Sequence, residues 1–336
     1  MKLLEKASIK NLELKNRYIM APMCMYAAHK KDGIPHAFHF SHYVSRAIGQ
    51  VGLIIVEATG IVPEGRITNQ CLGLWNDDQK DAFSKIVDAV HEQGSKIALQ
   101  LNHAGRKCRT EDPVIYAPSA IAYNEKYRTP KEMSQQDIKQ MIKDFATAAK
   151  RADEAGFDAI EIHMAHGYLL SSFMSPYTNK RIDKYRDATV LFEELMESIH
   201  SVWPKEKPIF VRVSATDYEE NGLDVKGVAK ILDPILDTFD VIHVSSGGIT
   251  PIVPHAYPSY QVPFAQELKT RTKKPVIAVG LINTTDQAID IIENDRADFV
   301  ALGRALIRNP HFVLESYMQT RQKDKIPFSY QRGFRD

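Results

Sequence analysis

The feature that most restricts what this chain can fold into is a repeat. Eight short apolar runs, at 18–23, 51–58, 96–103, 157–162, 208–214, 241–248, 275–280 and 297–304, are each followed by a longer segment. Those segments have helical spacing at 39–49, 78–93, 134–155, 188–203, 224–239, 262–272, 285–294 and 311–322. The runs are rich in valine and isoleucine and barely alternate, as parallel strands covered on both faces do. Eight strand–helix units predict a (β/α)8 barrel, one domain over 1–336. Gly94 and Gly156 stand where helices stop, and Ser134 stands where one starts. Residues 8–16 alternate like a hairpin able to plug the barrel floor. A long loop, 104–133, follows the third strand, and loops of that length tend to carry function. The competing architecture is a doubly wound open sheet. It calls for a glycine-rich turn after the first strand, and Pro22-Met23-Cys24-Met25-Tyr26 is not one.

A net charge of +1 gives no reason to expect nucleic acid or a membrane surface as partner. No apolar run approaches the length of a bilayer span. Cys24, Cys71 and Cys108 show no metal-ligand spacing, and the first residues lack the apolar core of a secretion signal. A cytoplasmic enzyme is therefore expected. Cys71, Cys108 and His103 read as structural or incidental.

In a barrel of this kind chemistry gathers at the C-terminal strand ends. The fourth ends in His163-Met164-Ala165-His166-Gly167-Tyr168. Two imidazoles can hold a substrate oxygen, and a phenol can release a proton to a strong base. Gly280 and Gly303 end the last two strands, and Arg304 follows. Backbone N–H groups and a guanidinium in that place suit a phosphate. No strand end carries a His/carboxylate ligand set, so no metal site is expected.

Taken together, Pro22-Met23-Cys24-Met25-Tyr26, Gln100, His163-x-x-His166-Gly-Tyr168, Phe210-Val211-Arg212 and Leu302-Gly303-Arg304 resemble the old yellow enzyme family. The closer likeness is to its bacterial NADPH dehydrogenase and ene-reductase subgroup, from about residue 8 to Phe334. The resemblance implies non-covalent FMN, reduced by NADPH or NADH and reoxidised by an enone, quinone or nitro acceptor. Ala21, Pro22, Met23, Cys24, Ala58, Gln100 and Arg212 would then hold the isoalloxazine. Gly280, Gly303 and Arg304 would take the phosphate. His163, His166 and Tyr26 would bind the acceptor, and Tyr168 would protonate its α-carbon. It further implies a homodimer or homotetramer in which the tail, 323–336, carries Arg332 into a neighbour's substrate pocket. One stretch departs from the family pattern: after Tyr185 comes Arg186-Asp187-Ala188, with neither Gly-Gly nor a later Glu-Asn-Arg. Two other functions fit parts of the chain, a flavin-binding redox sensor built on Cys24 and a barrel metallohydrolase using His163 and His166.

Overall fold

Eight parallel strands close on themselves in chain order: β1 (Tyr18–Met20), β2 (Leu53–Gly60), β3 (Lys96–Asn102), β4 (Ala159–Met164), β5 (Ile209–Ser214), β6 (Val241–Ser245), β7 (Val276–Ala278) and β8 (Phe299–Leu302). The computed structural model describes residues 1–334. Closure comes from β8 pairing with β1, where Ala301 lies opposite Ile19. The helices that cover the barrel begin with α1 (Ala37–Ile48), α2 (Asp77–Glu92) and α3 (Gln135–Glu154). A short α4 (Leu169–Met174) precedes α5 (Ala188–His200), α6 (Val225–Leu232), α7 (Val262–Thr272) and α8 (Thr285–Glu293). The chain then adds α9 (Arg304–Arg308) and α10 (Phe312–Gln319).

Local chemistry explains these boundaries. Ser134 caps α3 in a reciprocal pair with Asp137, and Asn76 does the same for α2 with Gln79. The segment 224–239, which reads as one helix, is α6 followed by a 3-10 turn (Asp233–Thr238) that opens with Pro234 in its first turn. Where the Gly-Gly pattern is missing, Asp187 accepts from Thr189 N–H and starts α5 without it.

The strand interiors sort by height. Ile19, Leu53, Ala98, Ala159, Phe210 and Ile277 form one apolar layer with Ala7, Ile9, Leu12 and Leu14 of the N-terminal hairpin. The expected plug is therefore present, Ala7 pairing with Leu14 and Ile9 with Leu12. Two residues further along β3, β4, β5 and β6 the inward positions turn polar, whereas Ala21, Ile55 and Ala301 stay apolar. Gln100 lies opposite Glu161, and Arg212 lies between His163 and His243. The loop at 104–133 carries its own two-stranded ladder, Tyr116–Ala117 with Lys131–Glu132.

Candidate active site

At the end of β4 the chain turns sharply, with His166 at φ 62° and Gly167 at φ 71°. A Cβ on Gly167 would stand 2.1 Å from the Gly248 carbonyl oxygen, so only glycine lets the β4 and β6 loops touch here. This turn folds His163, His166 and Tyr168 onto one another. The His163 ring is 5.1 Å from that of His166 and 5.0 Å from that of Tyr168, both edge-on.

Hydrogen bonds fix the imidazole protons. His163 Nδ1 accepts from Ala165 N–H at 3.3 Å, which leaves the ring proton on Nε2. That nitrogen is 3.4 Å from His166 Nδ1, and His166 Nε2 is 2.7 Å from Ser245 Oγ. Burial first, and Arg212 second, hold both histidines well below their usual 6.5, so both are neutral donors. The pair was expected to point jointly at a substrate. The structure brings the two together: His163 and His166 are in contact, and His166 contacts Ser245. Burial raises Tyr168 well above its usual 10 and keeps its proton in place.

Arg212 is 7% exposed and its Nε has no partner, while His243 Nε2 and both side-chain atoms of Asn102 are likewise buried and unpaired. Unpaired polar atoms gathered at a barrel mouth suit a flat polar ring laid across it. Gln100 Nε2 donates to Glu161 Oε1 at 2.7 Å, and Glu161 Oε2 is 2.7 Å from His243 Nδ1. A cavity of about 190 Å³ continues from Arg212 to Gly280, Gly303 and Arg304. Gly280 sits at φ 124°, and a Cβ there would lie 3.0 Å from Gln261 Cβ. This is a backbone cradle of the kind that receives phosphate oxygens. The residues present therefore fit FMN: buried polar atoms without partners suit a flat polar ring, and a backbone cradle suits a phosphate.

The remaining expected residues fall beside these. Ala21 follows β1, its N–H bonded to Leu302 O, with Pro22 buried and Met23 next to Gly303. Ala58 sits in a small buried cluster against which Cys24 and Tyr168 pack. Tyr26, 41% exposed and at φ 52°, stands at the rim, with partial burial pushing its hydroxyl up to about 12. Arg332 is not brought here. It is exposed in the tail, whose preceding turn packs beside Ile48 and Gln93, at the opposite end of the barrel.

Several residues the sequence did not single out hold the site together. Glu57 accepts from Met25 N–H at 2.9 Å and from Tyr43 Oη at 3.1 Å, anchoring the 22–26 segment; burial raises its carboxyl to about 8. Lys107 donates to the carbonyls of His166 and Gly248, and its ammonium lies 5.3 Å from the Tyr168 ring centre. Burial, and then Arg106, lower Lys107 to about 8. The signal for Glu57 and Glu161 was a lone acid inside an apolar strand. Lys107 had none beyond its place in the long loop.

Residues 2–323 match the NADH:flavin oxidoreductase / NADH oxidase family. The chain belongs to that family. It is an FMN-dependent oxidoreductase that uses a reduced nicotinamide. It is 47% identical to the NADPH dehydrogenase of Clostridium acetobutylicum, over 99% of this chain and 100% of that one. Identity to the NADPH dehydrogenase of Bacillus subtilis is 45%, over 99% of both. Among solved structures, morphinone reductase in complex with tetrahydroNAD superposes with a TM-score of 0.81 at 26% identity, covering 95% of this chain and 91% of that chain. A 2-naphthoyl-CoA reductase complex superposes with a TM-score of 0.89 at 21% identity, over 97% of this chain and 53% of that one, a likeness of fold alone. The old yellow enzyme resemblance is thus borne out. Among the described residues no group of three or more His, Cys, Asp or Glu is placed to share a metal ion. No helix among them is long and apolar enough to cross a membrane.

Proposed function

We propose that this enzyme is an NADPH dehydrogenase of the ene-reductase type, acting on α,β-unsaturated carbonyl compounds. The observation that carries the reading is the neutral His163–His166 pair set edge-on to a protonated Tyr168. FMN, held by Gln100, Arg212, Gly280, Gly303 and Arg304, would supply the hydride chemistry, with NADPH as the reductant.

The chain's residues do the rest. His163 carries its proton on Nε2, and with Ser245 Oγ–H donating to His166 Nε2, His166 carries its own on Nδ1, facing His163. A carbonyl oxygen between them is a better acceptor than the 3.4 Å contact it replaces. Two neutral donors in a buried site favour the enolate-like charge that grows on that oxygen. Tyr168 then gives its proton to the α-carbon, which is more basic than a phenolate. Lys107, beneath the Tyr168 ring, favours the anion left behind. Arg212 would supply fixed positive charge to the cofactor, and Gln100 would offer it a carbonyl oxygen and a second N–H. Gly280, Gly303 and Arg304 take the phosphate. Ala21, Pro22, Met23, Cys24 and Ala58 line the ring, and Tyr26 closes the acceptor side. Arg332 enters from the tail of a second subunit.

The test is direct. The purified protein should show flavin absorbance, and its NADPH consumption should rise on adding cyclohexenone, with cyclohexanone as product. An NADPH oxidation rate indifferent to the enone would remove the reading.

A further inference from the structure

The residues that decide where His166 keeps its proton lie outside the histidine pair. Ser245, the last residue of β6, has its Oγ 2.7 Å from His166 Nε2 and 3.3 Å from Gln261 Oε1. Its neighbour Ser246 donates to that same Oε1 at 2.6 Å and accepts from Tyr218 Oη at 2.9 Å. Ser245, Ser246 and Gln261 are all buried. Ser245 and Gln261 also line the cavity that holds Gly280 and Arg304. One path of hydrogen bonds thus runs from Tyr218 through Ser246, Gln261 and Ser245 to His166.

A hydroxyl has one proton to give, and that of Ser245 has two claimants. Given to Gln261, it leaves Ser245 accepting from His166 Nε2–H. His166 Nδ1 is then bare, receives His163 Nε2–H, and the pair closes on itself. Given to His166, it puts the imidazole proton on Nδ1, and both rings present an N–H to the site. The choice is one of protons, because the backbone is held. His166 N–H is bound to Ser214 Oγ at 2.9 Å, and a Cβ on Gly248 would stand 2.7 Å from His166 Cα.

We propose that Ser245 is a positioning residue that sets the tautomer of His166, and that Ser246 keeps it set by occupying the Gln261 carbonyl. The 2.6 Å bond from Ser246 takes the larger share of that carbonyl. The 3.3 Å contact then competes weakly for the Ser245 proton against the 2.7 Å contact with His166. Donation therefore runs from Tyr218 to Ser246 to Gln261, and separately from Ser245 to His166. The consequence is selectivity for what an acceptor offers. Two inward N–H groups match an oxygen without a proton, as in a ketone or a nitro group. One donor beside one bare nitrogen would match a lactam, which offers both C=O and N–H. That the favoured oxygen belongs to an enone rests on the functional reading above; the tautomer itself does not.

The flavin-loaded protein, labelled with nitrogen-15 in its histidines, reports the tautomer by NMR, since bare and protonated ring nitrogens resonate far apart. His166→Asn identifies the signals. The unaltered protein should carry the His166 proton on Nδ1. Ser245→Ala should move it to Nε2, because His163 is then the better partner for Nδ1. Ser245→Thr, which restores a hydroxyl, should return it. Ser246→Ala leaves Ser245 in place but frees the Gln261 carbonyl, and should move the proton part of the way to Nε2. Ligand binding, read from flavin absorbance, should follow. Ser245→Ala should weaken cyclohexanone about tenfold, the upper range for one neutral hydrogen bond, and δ-valerolactam by about twofold or less. A His166 proton on Nε2 in the unaltered protein, or one unmoved in both alanine variants, would overturn the proposal. Equal losses for ketone and lactam would overturn the selectivity and leave Ser245 a packing residue. The nitrogen signals need no turnover, so they stand even if no enone is reduced.

Discussion

The two ends of the barrel handle unusual backbone differently. At the N-terminal end of the strands, left-handed residues are stops. Lys10 turns the hairpin, and Gln50, Gly94, Gly156, Lys273 and Asp295 end α1, α2, α3, α7 and α8. A left-handed residue after a helix satisfies its last carbonyls, so the conformation is used for closure. At the other end Tyr26, His166, Tyr218 and Leu281 adopt the same region with bulky side chains and no long helix to finish. Each such residue costs about 1–3 kcal/mol, and persists because its neighbours hold it. Below, the interior is apolar and plugged; above, buried groups lack partners. One end serves the fold, and the other spends stability on placing donors.

The sharpest way to test that division is to damage the lower end alone. Phe210 is fully buried against the hairpin layer. Phe210→Ala should lower unfolding free energy by about 3–5 kcal/mol in denaturant titration. Turnover per bound flavin should stay within about twofold, as the cavity lies below the chemistry. Lost turnover in folded, flavin-loaded protein would mean the two ends are coupled.

The reciprocal change is at the upper end. Replacing His163 and His166 together with alanine should leave stability close to the parent and flavin bound. It should lower the rate of acceptor reduction by about 10²–10³-fold, the usual cost of losing oxyanion donors. Because both imidazoles titrate well below 6.5, phenol binding to the parent protein should be flat from about pH 8 to pH 6. For stability the sign is the opposite of a gain: depressed histidines leave the folded state binding fewer protons than the unfolded chain. Stability should be full above about 6.5 and fall as pH drops below it. A binding curve with a midpoint near 6.5 would show at least one imidazole charging in the folded site.

Tyr168→Phe removes one proton and little else. Reduction by NADPH should be spared, and enone reduction should slow by about 10²-fold, within the range for lost general acids. Quinones, which need no protonation at carbon, should be affected least. Equal slowing of both half-reactions would assign Tyr168 to the fold end of the comparison.

What the sequence revealed follows the same division. Buried parallel strands write themselves as apolar runs, and caps such as Ser134 mark helix starts, so order and closure were readable. Strand ends were read too long, as at 18–23 against Tyr18–Met20, because apolar character continues past the last ladder bond. The histidine cluster was legible because its members are adjacent in sequence. Glu161 and His243 were not, since they are 82 positions apart and each resembles a blemish in a strand.

The smallest expected effect asks whether the lower end is only structural. The tail from Lys323 folds under the barrel, where the Tyr330 ring lies tilted 5.3 Å from that of His311 and Gln331 donates to Ile326 O. Arg332 emerges from this anchored segment exposed, at the end opposite its own site. An arginine held at its root and free at its tip is ready to reach a surface that is not its own, stacking or donating several bonds at once. If that surface is the Tyr26 rim of a second subunit, the lower end of one barrel completes the upper end of the next. Two-fold symmetry would then pair the sites. Arg332→Ala should raise the Michaelis constant for the acceptor about tenfold, as for one lost charge-assisted contact, and leave flavin binding and unfolding unchanged. Subunit exchange between Arg332→Ala and Tyr168→Phe should create mixed dimers in which both lesions fall in one site, leaving the other intact. Activity should then rise above the average of the two parents. An unchanged Michaelis constant, or a fully active monomer in sedimentation, would confine the lower end to the fold.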